Sequence, residues 1–423
     1  MSTITPSAVN TGENPGLIAN LAKSQVIKRL RSLPFGRLTI VDGDETYEFG
    51  DLSASASVKA RINVHDSTAF RDFAFGGSIG AAEAFMLGKW SSPSLLDVVR
   101  VFCINVDFLN QFDGSRPLWQ RARDKLFHFL NRNTEKQARE NISRHYDLSN
   151  DFFALFLDPE MMYSAAIFPH EKASLEEAAV HKLDVICRKL ELKPEDHLLE
   201  IGTGWGGLAV YAAKHYGCRV TTTTISREQY DIACKRVREQ GLEQQVTVLQ
   251  QDYRKLTGRF DKLVSVEMIE AVGHQYYGQY FGGCASLLKD GGLMLLQAIT
   301  IPEQRYDYAR RSVDFIQRYI FPGGSLPSHE AIISAVKSNS DMVMVGMQEI
   351  GADYAKTLQI WHDRFFARLD EVRALGFDDY FIRMWNYYLC YCQGGFEERI
   401  IGTSQILLAK PGWRGTGYAG ATA

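Results

Sequence analysis

Among 423 residues only seven are cysteine and twelve are proline. The cysteines, at 103, 187, 218, 234, 284, 390 and 392, form no CxxC pair and no framework spacing. That argues against a disulfide-stapled module and against a cysteine-ligated zinc site. No His/Cys/Asp spacing has the form of a metal site either. Charge of one sign is also missing: 47 Lys and Arg against 50 Asp and Glu leave −3. A general nucleic-acid binder would normally carry a basic excess, so the balance argues weakly against that class. No apolar run reaches the roughly 18 residues that a bilayer span needs. The opening MSTITPSAVNTGENPG lacks the apolar core of a secretory signal. The expectation is a reduced, cytoplasmic protein.

What is present is ordinary globular composition, 45% hydrophobic and 23% charged. The length favours two to three domains at roughly 150 residues each. Residues 1–19 read as a disordered tail, 20–140 as a small α+β domain and 141–423 as a second domain. In the first domain LTIVDGDETYEF places two apolar runs around an Asp-Gly turn, and SVKARINV alternates. Helices are expected at 79–89, 93–110 and 117–132. The last, PLWQRARDKLFHFLNR, sets Trp119, Ala122, Leu126 and Phe129 on one face and Arg121, Arg123, Lys125 and Arg132 on or near the other. Such a helix fits an anionic membrane surface or an ordinary domain core.

From residue 196 short β-type runs alternate with helical segments. The runs are 196–201, 218–224, 245–250, 262–266 and 293–299, and the helices 206–216, 226–240 and 274–288. This rhythm predicts an α/β, doubly wound parallel sheet. A helical insertion follows at about 300–340, then strands at 342–350 and 404–410 with a helical segment between them that ends near Tyr391.

LLEIGTGWGGLAVYAA ends a buried strand in Glu200, then places Gly202, Gly204, Gly206 and Gly207 before a helix, with Trp205 inside the loop. Glycines let the backbone approach a ligand at the carboxyl end of the first strand. The acidic residue that closes the strand just ahead of the first glycine and the GxGxGG spacing suit an aminoacyl nucleoside better than a pyrophosphate. The loop resembles motif I of S-adenosylmethionine (SAM) methyltransferases. Thr224 and Gln229 then become candidates for the ribose hydroxyls, and Asp252 for the adenine amino group. Asp252 read alone is a turn or cap residue.

Five separated stretches narrow the resemblance. SRHYDLSNDFFALFLDPEMMYSAAIF (143–168), SVEMIEAVG (265–273), QAITIPEQRYDYARRSVDFIQRYIFPGG (297–324), GADYAKTL (351–358) and the GGF-containing C-terminal segment resemble the cyclopropane-fatty-acyl-phospholipid synthases. The mycolic acid cyclopropane synthases are more distant relatives. The resemblance spans 140–412 and implies a Rossmann-like, class I SAM methyltransferase domain. It extends less sharply into the first domain through GGSIGAAEAFMLGKW.

The resemblance implies transfer of the SAM methyl carbon to a cis double bond of a phospholipid acyl chain, giving a carbocation. Aromatic faces stabilise a cation by about 0.5–2 kcal/mol each. Phe152, Phe153, Tyr163, Tyr306, Phe315, Tyr319 and Tyr354 are the supply, most of them read as pocket wall. A bound bicarbonate would remove the proton that closes the ring. Carried over residue by residue, its site comprises Glu270, Ile299 and Tyr354, with Ala165 and Gln297 at two positions where the family commonly has cysteine and histidine. Tyr163 and Ser164 join the cofactor site. The two departures leave a second outcome open, a fatty-acid C-methyltransferase giving methyl-branched or methyl-unsaturated chains. His145 and His274 read as structural. The implied partner is an unsaturated phospholipid bilayer surface, with the first domain docking peripherally on the inner face of the membrane, and a homodimer remains an open assembly.

Overall fold

The computed structural model describes residues 15–53, 55–113 and 148–416. The chain divides into two compact units, Met1–Ser115 and Arg116–Ala423. The boundary expected near 140, the helix expected at 117–132 and His145 lie outside the described residues.

In the first unit a helix runs Pro15–Leu30, so the expected tail already turns helical at 15. Strands β1 (Arg37–Asp42) and β2 (Glu45–Gly50) form the hairpin, with Gly43 at a φ of 60° in its turn. β3 (Lys59–Val64) pairs parallel to β1, and β4 (Trp90–Ser91) pairs with β3, giving the order β2-β1-β3-β4. Leu38, Ile40, Ile62, Phe70, Met86 and Val101 fill the core beneath this sheet. The helix Ala69–Met86 is longer than expected and kinks at Gly77, where φ is 57°. Gly80 is required there, because a Cβ would sit 2.2 Å from the Asp72 carbonyl oxygen.

The helix expected at 93–110 is two helices, Leu95–Ile104 and Val106–Asp113. Asn105 makes the break: its amide donates to the Val101 and Phe35 carbonyls at 2.7 and 2.8 Å and accepts from Phe35 N–H at 3.0 Å. A side chain that hydrogen-bonds backbone in this way competes with helical continuation.

The second unit holds a seven-stranded sheet of β5 (His197–Ile201), β6 (Arg219–Thr224), β7 (Val246–Gln250), β8 (Phe260–Val266), β9 (Leu288–Thr300), β10 (Val343–Glu349) and β11 (Gly402–Ala409). Their order is β10-β11-β9-β8-β5-β6-β7. β11 runs antiparallel to both neighbours, and the other pairings are parallel. Successive residues of one strand enter opposite cores. Leu199, Leu263, Met294, Leu296 and Ile406 pack on the side of helices Tyr277–Leu287 and His329–Asn339. Leu198, Val264, Leu293, Leu295 and Leu407 pack on the side of helices Leu175–Lys189 and Gly207–Tyr216. Burial on both faces is why these strands read as near-continuous apolar runs.

The insertion contains helix Glu303–Ala309 and a π-helical turn at Ile316–Ile320 before the helix at 329. The segment expected to end near Tyr391 is three helices, Gly351–Ala367, Leu369–Ala374 and Asp379–Glu397, and it ends later. Among the described residues no helix is long and apolar enough to cross a membrane.

Asn105→Ala removes three hydrogen bonds from a residue only 2% exposed. Urea titration of the full chain should show the first unit destabilised by about 1–3 kcal/mol, the cost of stranding buried backbone partners.

Candidate active site at the strand carboxyl ends

Strand order reverses between β5 and β8, and in an open α/β sheet the crevice at such a switch point is where ligands bind. β5 leads into the glycine loop, where Gly202, Gly204 and Gly206 have φ of 101°, 52° and 89°. A Cβ at Gly204 would meet nothing within 4 Å, so the loop borders open space there. At Gly206 it would lie 3.2 Å from the Ala233 Cα, so close helix packing fixes that glycine. Trp205 donates its indole N–H to Asn150 Oδ1 at 2.7 Å, tying the loop to the first residue of helix Asn150–Ala154.

The candidate nucleoside residues line the neighbouring strand ends. Glu200 is 3% exposed, and its Oε2 accepts from Thr222 Oγ1 at 2.6 Å. Burial pushes its carboxyl up to about 8. Thr224 donates to Gln229 Oε1 at 2.8 Å, joining the end of β6 to the first turn of helix Arg227–Glu239. Asp252 follows β7 and caps a 3₁₀ turn; Oδ1 accepts Arg254 N–H at 3.0 Å, and Oδ2 accepts the Arg254 guanidinium at 2.6 Å.

Across the switch point, β8 ends beside a residue that the sequence reading passed over. Glu267 lies three positions before Glu270, and its backbone is held at a φ of 48°. Its Oε1 accepts Ala165 N–H at 3.0 Å and the Gln297 amide at 2.8 Å, and its Oε2 accepts Tyr354 O–H at 2.9 Å. Ile299 N–H instead donates to Glu270 Oε1 at 2.6 Å, while Glu270 Oε2 is buried with no hydrogen-bond partner. Gly202 links the halves of the site, since a Cβ there would touch Met268 at 3.5 Å. Ala165, Gln297, Ile299, Tyr354 and Glu270 are therefore gathered together, but around an internal carboxylate. The donors expected to hold a bicarbonate are here engaged by Glu267 and Glu270. An acidic residue closing a buried strand was the available signal, the same one that singled out Glu200.

The orientation of Gln297 is set from behind. Lys189, 3% exposed, donates to Gln405 Oε1 at 2.6 Å. Gln405 must then present its NH₂, which donates to Gln297 Oε1 at 2.8 Å. That leaves the Gln297 NH₂ facing Glu267. Burial lowers the Lys189 ammonium to about 7. A second buried lysine, Lys182, donates to Ser164 Oγ at 2.7 Å and is lowered to about 8 by burial, offset by the charges of Glu267 and Asp158.

Burial also raises both site carboxyls. Glu267 is raised from the ordinary value, with its three donors and Lys182 opposing the rise. Glu270 is pushed up to about 8, first by burial and then by the Glu267 charge, so near neutrality it holds its proton.

A continuous aromatic wall connects loop and carboxylates. Ring centroids step from Trp205 to Phe153 (5.2 Å), Tyr163 (5.1 Å) and Trp361 (5.4 Å), then to Tyr354 (6.2 Å) and Phe396 (4.6 Å). Tyr163 also meets Tyr388 oxygen to oxygen at 2.8 Å. Of the other expected aromatics, Phe152 is fully buried against Trp385 and Phe365. Phe315 packs on Tyr319 and Tyr387, and Tyr306 lies under Arg310. His274 opens a short 3₁₀ turn after Gly273. No group of three metal-ligating side chains occurs among the described residues.

A family model described as mycolic acid cyclopropane synthetase matches residues 133–406. Tuberculostearic acid methyltransferase UfaA1 of Mycobacterium tuberculosis is 39% identical over 345 residues, 79% of this chain and 80% of that protein. Cyclopropane-fatty-acyl-phospholipid synthase of Escherichia coli K12 is 38% identical over 361 residues, 85% of this chain and 90% of that one. The crystal structure of mycolic acid cyclopropane synthase CmaA1 with SAH and CTAB superposes with a TM-score of 0.60 at 32% identity, covering 64% of this chain and 98% of that chain.

Two outcomes follow from the site. Gly206→Ala places a methyl against Ala233 at a positive φ, and calorimetry should show SAH binding weakened at least about tenfold, or about 1.4 kcal/mol. Glu200 and Glu270 bind protons more tightly folded than unfolded. Their contribution to stability is therefore complete below the unfolded carboxyl range and is lost as pH rises through about 8. Thermal midpoints measured from pH 5 to 9 should fall toward the alkaline end, and less steeply in Glu200→Gln and Glu270→Gln.

Proposed function

The chain belongs to the mycolic acid cyclopropane synthetase family and is a SAM-dependent methyltransferase of the lipid methylene and methyl transfer type, and from that premise we propose that it adds the SAM methyl carbon to a cis double bond of phospholipid acyl chains, forming cyclopropane fatty acyl chains. The observation that carries this reading is a glycine loop beside a packed aromatic wall and two half-buried glutamates, one of them holding three hydrogen-bond donors.

SAM supplies a sulfonium methyl, an electrophile strong enough for an alkene. Gly202, Gly204 and Gly206 would let its backbone-facing side approach closely, with Glu200, Thr224, Gln229 and Asp252 at the adjoining strand ends. An alkene is a weak nucleophile, so most of the acceleration must come from holding it in line with that methyl and keeping water away. Exclusion of water matters twice, since a carbocation meeting water would be trapped as an alcohol. The ring faces of Tyr163, Trp361 and Tyr354 suit a positive centre, each contributing about 0.5–2 kcal/mol. Closure of the ring then needs a base within reach of the transferred methyl.

The departures Ala165 and Gln297, together with similarity to a tuberculostearic acid methyltransferase, favour a second reading. There the same cation loses a proton from the chain and yields a methyl-branched or methyl-unsaturated product. Both readings place the substrate in a bilayer. The first unit is the docking element in this proposal, and Phe35, Leu52, Phe75 and Leu87 are exposed on it. Phe75 stands 63% exposed beside the Gly77 kink.

Incubation with SAM and vesicles of cis-monounsaturated phospholipid, followed by gas chromatography–mass spectrometry of the released esters, should give a saturated cyclopropane ester. A methyl-alkene or methyl-branched ester would install the second reading. Flotation should carry the protein with anionic unsaturated vesicles at low salt, and Phe75→Ser should reduce the floated fraction severalfold. Failure of the wild type to float would remove the docking role.

A further inference from the structure

We propose that the Glu267 carboxylate occupies the anion position that the family resemblance assigns to bicarbonate and is itself the base of the reaction, so that this enzyme works without bicarbonate.

The argument starts from a count of donors. An ionised carboxylate offers about four lone-pair positions. Three on Glu267 are filled, by Ala165 N–H, the Gln297 amide and Tyr354 O–H. The fourth, on Oε2, is the one available to a reacting proton. Of the five residues carried over for bicarbonate, three donate to Glu267 and a fourth, Ile299, donates to Glu270. A bicarbonate would find all four of those donors engaged, with only the Glu270 proton left to it. It would also add an anion beside the Glu267 carboxylate, and like charges side by side are unfavourable.

Three further features fit an internal base. Glu267 holds a left-handed backbone at a φ of 48°, a conformation that glycine adopts freely and that costs other residues of order 1 kcal/mol. Keeping a side chain there makes sense if the carboxylate is needed. The Lys189–Gln405–Gln297 chain fixes the Gln297 NH₂ toward Glu267, so the substitution of histidine by glutamine leaves a directed donor. Glu270, its neighbour, keeps one oxygen fully buried and without a partner, and a proton on that oxygen leaves Glu267 as the charged member of the pair.

The inference rests on the proposed reaction, and its balance is complete. Attack of the alkene breaks the S–CH₃ bond, whose electron pair stays on sulfur, and forms a C–C bond from the π pair. The transferred methyl then loses a proton to Glu267 Oε2. The pair from that C–H bond forms the third ring bond to the cationic carbon, and Glu267 ends as the neutral acid. Should the proton come instead from the neighbouring chain carbon, the same base yields the methyl-alkene.

Three proteins test this, each purified in CO₂-stripped buffer: wild type, Glu267→Gln and Glu267→Gly. Glycine suits the backbone at 267, so the third should fold, and its vacated donors form a site that bicarbonate can enter. Binding of ¹³C-bicarbonate, followed by NMR line width, is independent of any lipid. The expected result is no broadening with wild type and saturable broadening with Glu267→Gly. In turnover, wild-type kcat should be indifferent to millimolar bicarbonate. Glu267→Gln should lose roughly 10²–10⁴-fold in kcat with SAH affinity retained, the usual worth of a general base. Glu267→Gly should be comparably slow and recover with added bicarbonate. Saturable bicarbonate binding by the wild type, its inactivation by CO₂ removal, or undiminished kcat in Glu267→Gln would each overturn the inference. If no unsaturated lipid is turned over while the binding results are as expected, the substrate assignment fails and the occupancy of the anion position stands.

Discussion

A charge removed from water must be held by oriented donors, and the site around Glu267 is organised by that requirement. Desolvating a carboxylate costs several kcal/mol unless hydrogen bonds replace its hydration. Here the replacements come from four separate parts of the second unit: Ala165 in the segment after helix 150–154, Gln297 on β9, Tyr354 on helix 351–367, and Lys182 at longer range on helix 175–189. Each of those parts is anchored in its own right. Ala166 N–H and Phe168 N–H bond to Thr357 and Asp353, which fastens the 164–168 segment to the helix that carries Tyr354.

The two glutamates divide the roles that one could not fill. Their environments push them apart: Glu267 has three donors and a nearby ammonium, whereas Glu270 has one backbone donor and a like charge beside it. Pairs of titratable groups separated in this way can run base and acid chemistry at one pH. The aromatic wall packs from the glycine loop to these carboxylates, and where such packing excludes water electrostatic interactions strengthen.

Much of the fold was legible in the sequence. The runs at 196–201, 218–224, 245–250 and 404–410 match β5, β6, β7 and β11 to within a residue or two, because apolar and β-branched residues gather there in short runs, separated in the first three by helical segments. The breaks were less legible. Asn105 divides a helix by bonding to Phe35, a partner 70 residues away, and no local pattern announces such a contact. The helix at 15–30 begins inside a polar stretch that composition alone marks as tail.

The same division runs through the site. Spacing and resemblance located the glycine loop and brought Ala165, Glu270, Gln297, Ile299 and Tyr354 to attention, since each lies within a contiguous motif. Sequence could not say what those residues hold. Gln297 donates to Glu267 only because Gln405 and Lys189, 108 and 216 positions apart from their partners, lie behind it across the sheet. The periodicity and glycine spacing of the chain determined its layers and its glycine cradle, and its motifs carried the resemblance that implied its reaction class. The sheet pairing of β9 with β8 and β11 decided which acceptors those side chains reach, because hydrogen-bond donors acquire a target only when distant strands are brought into register.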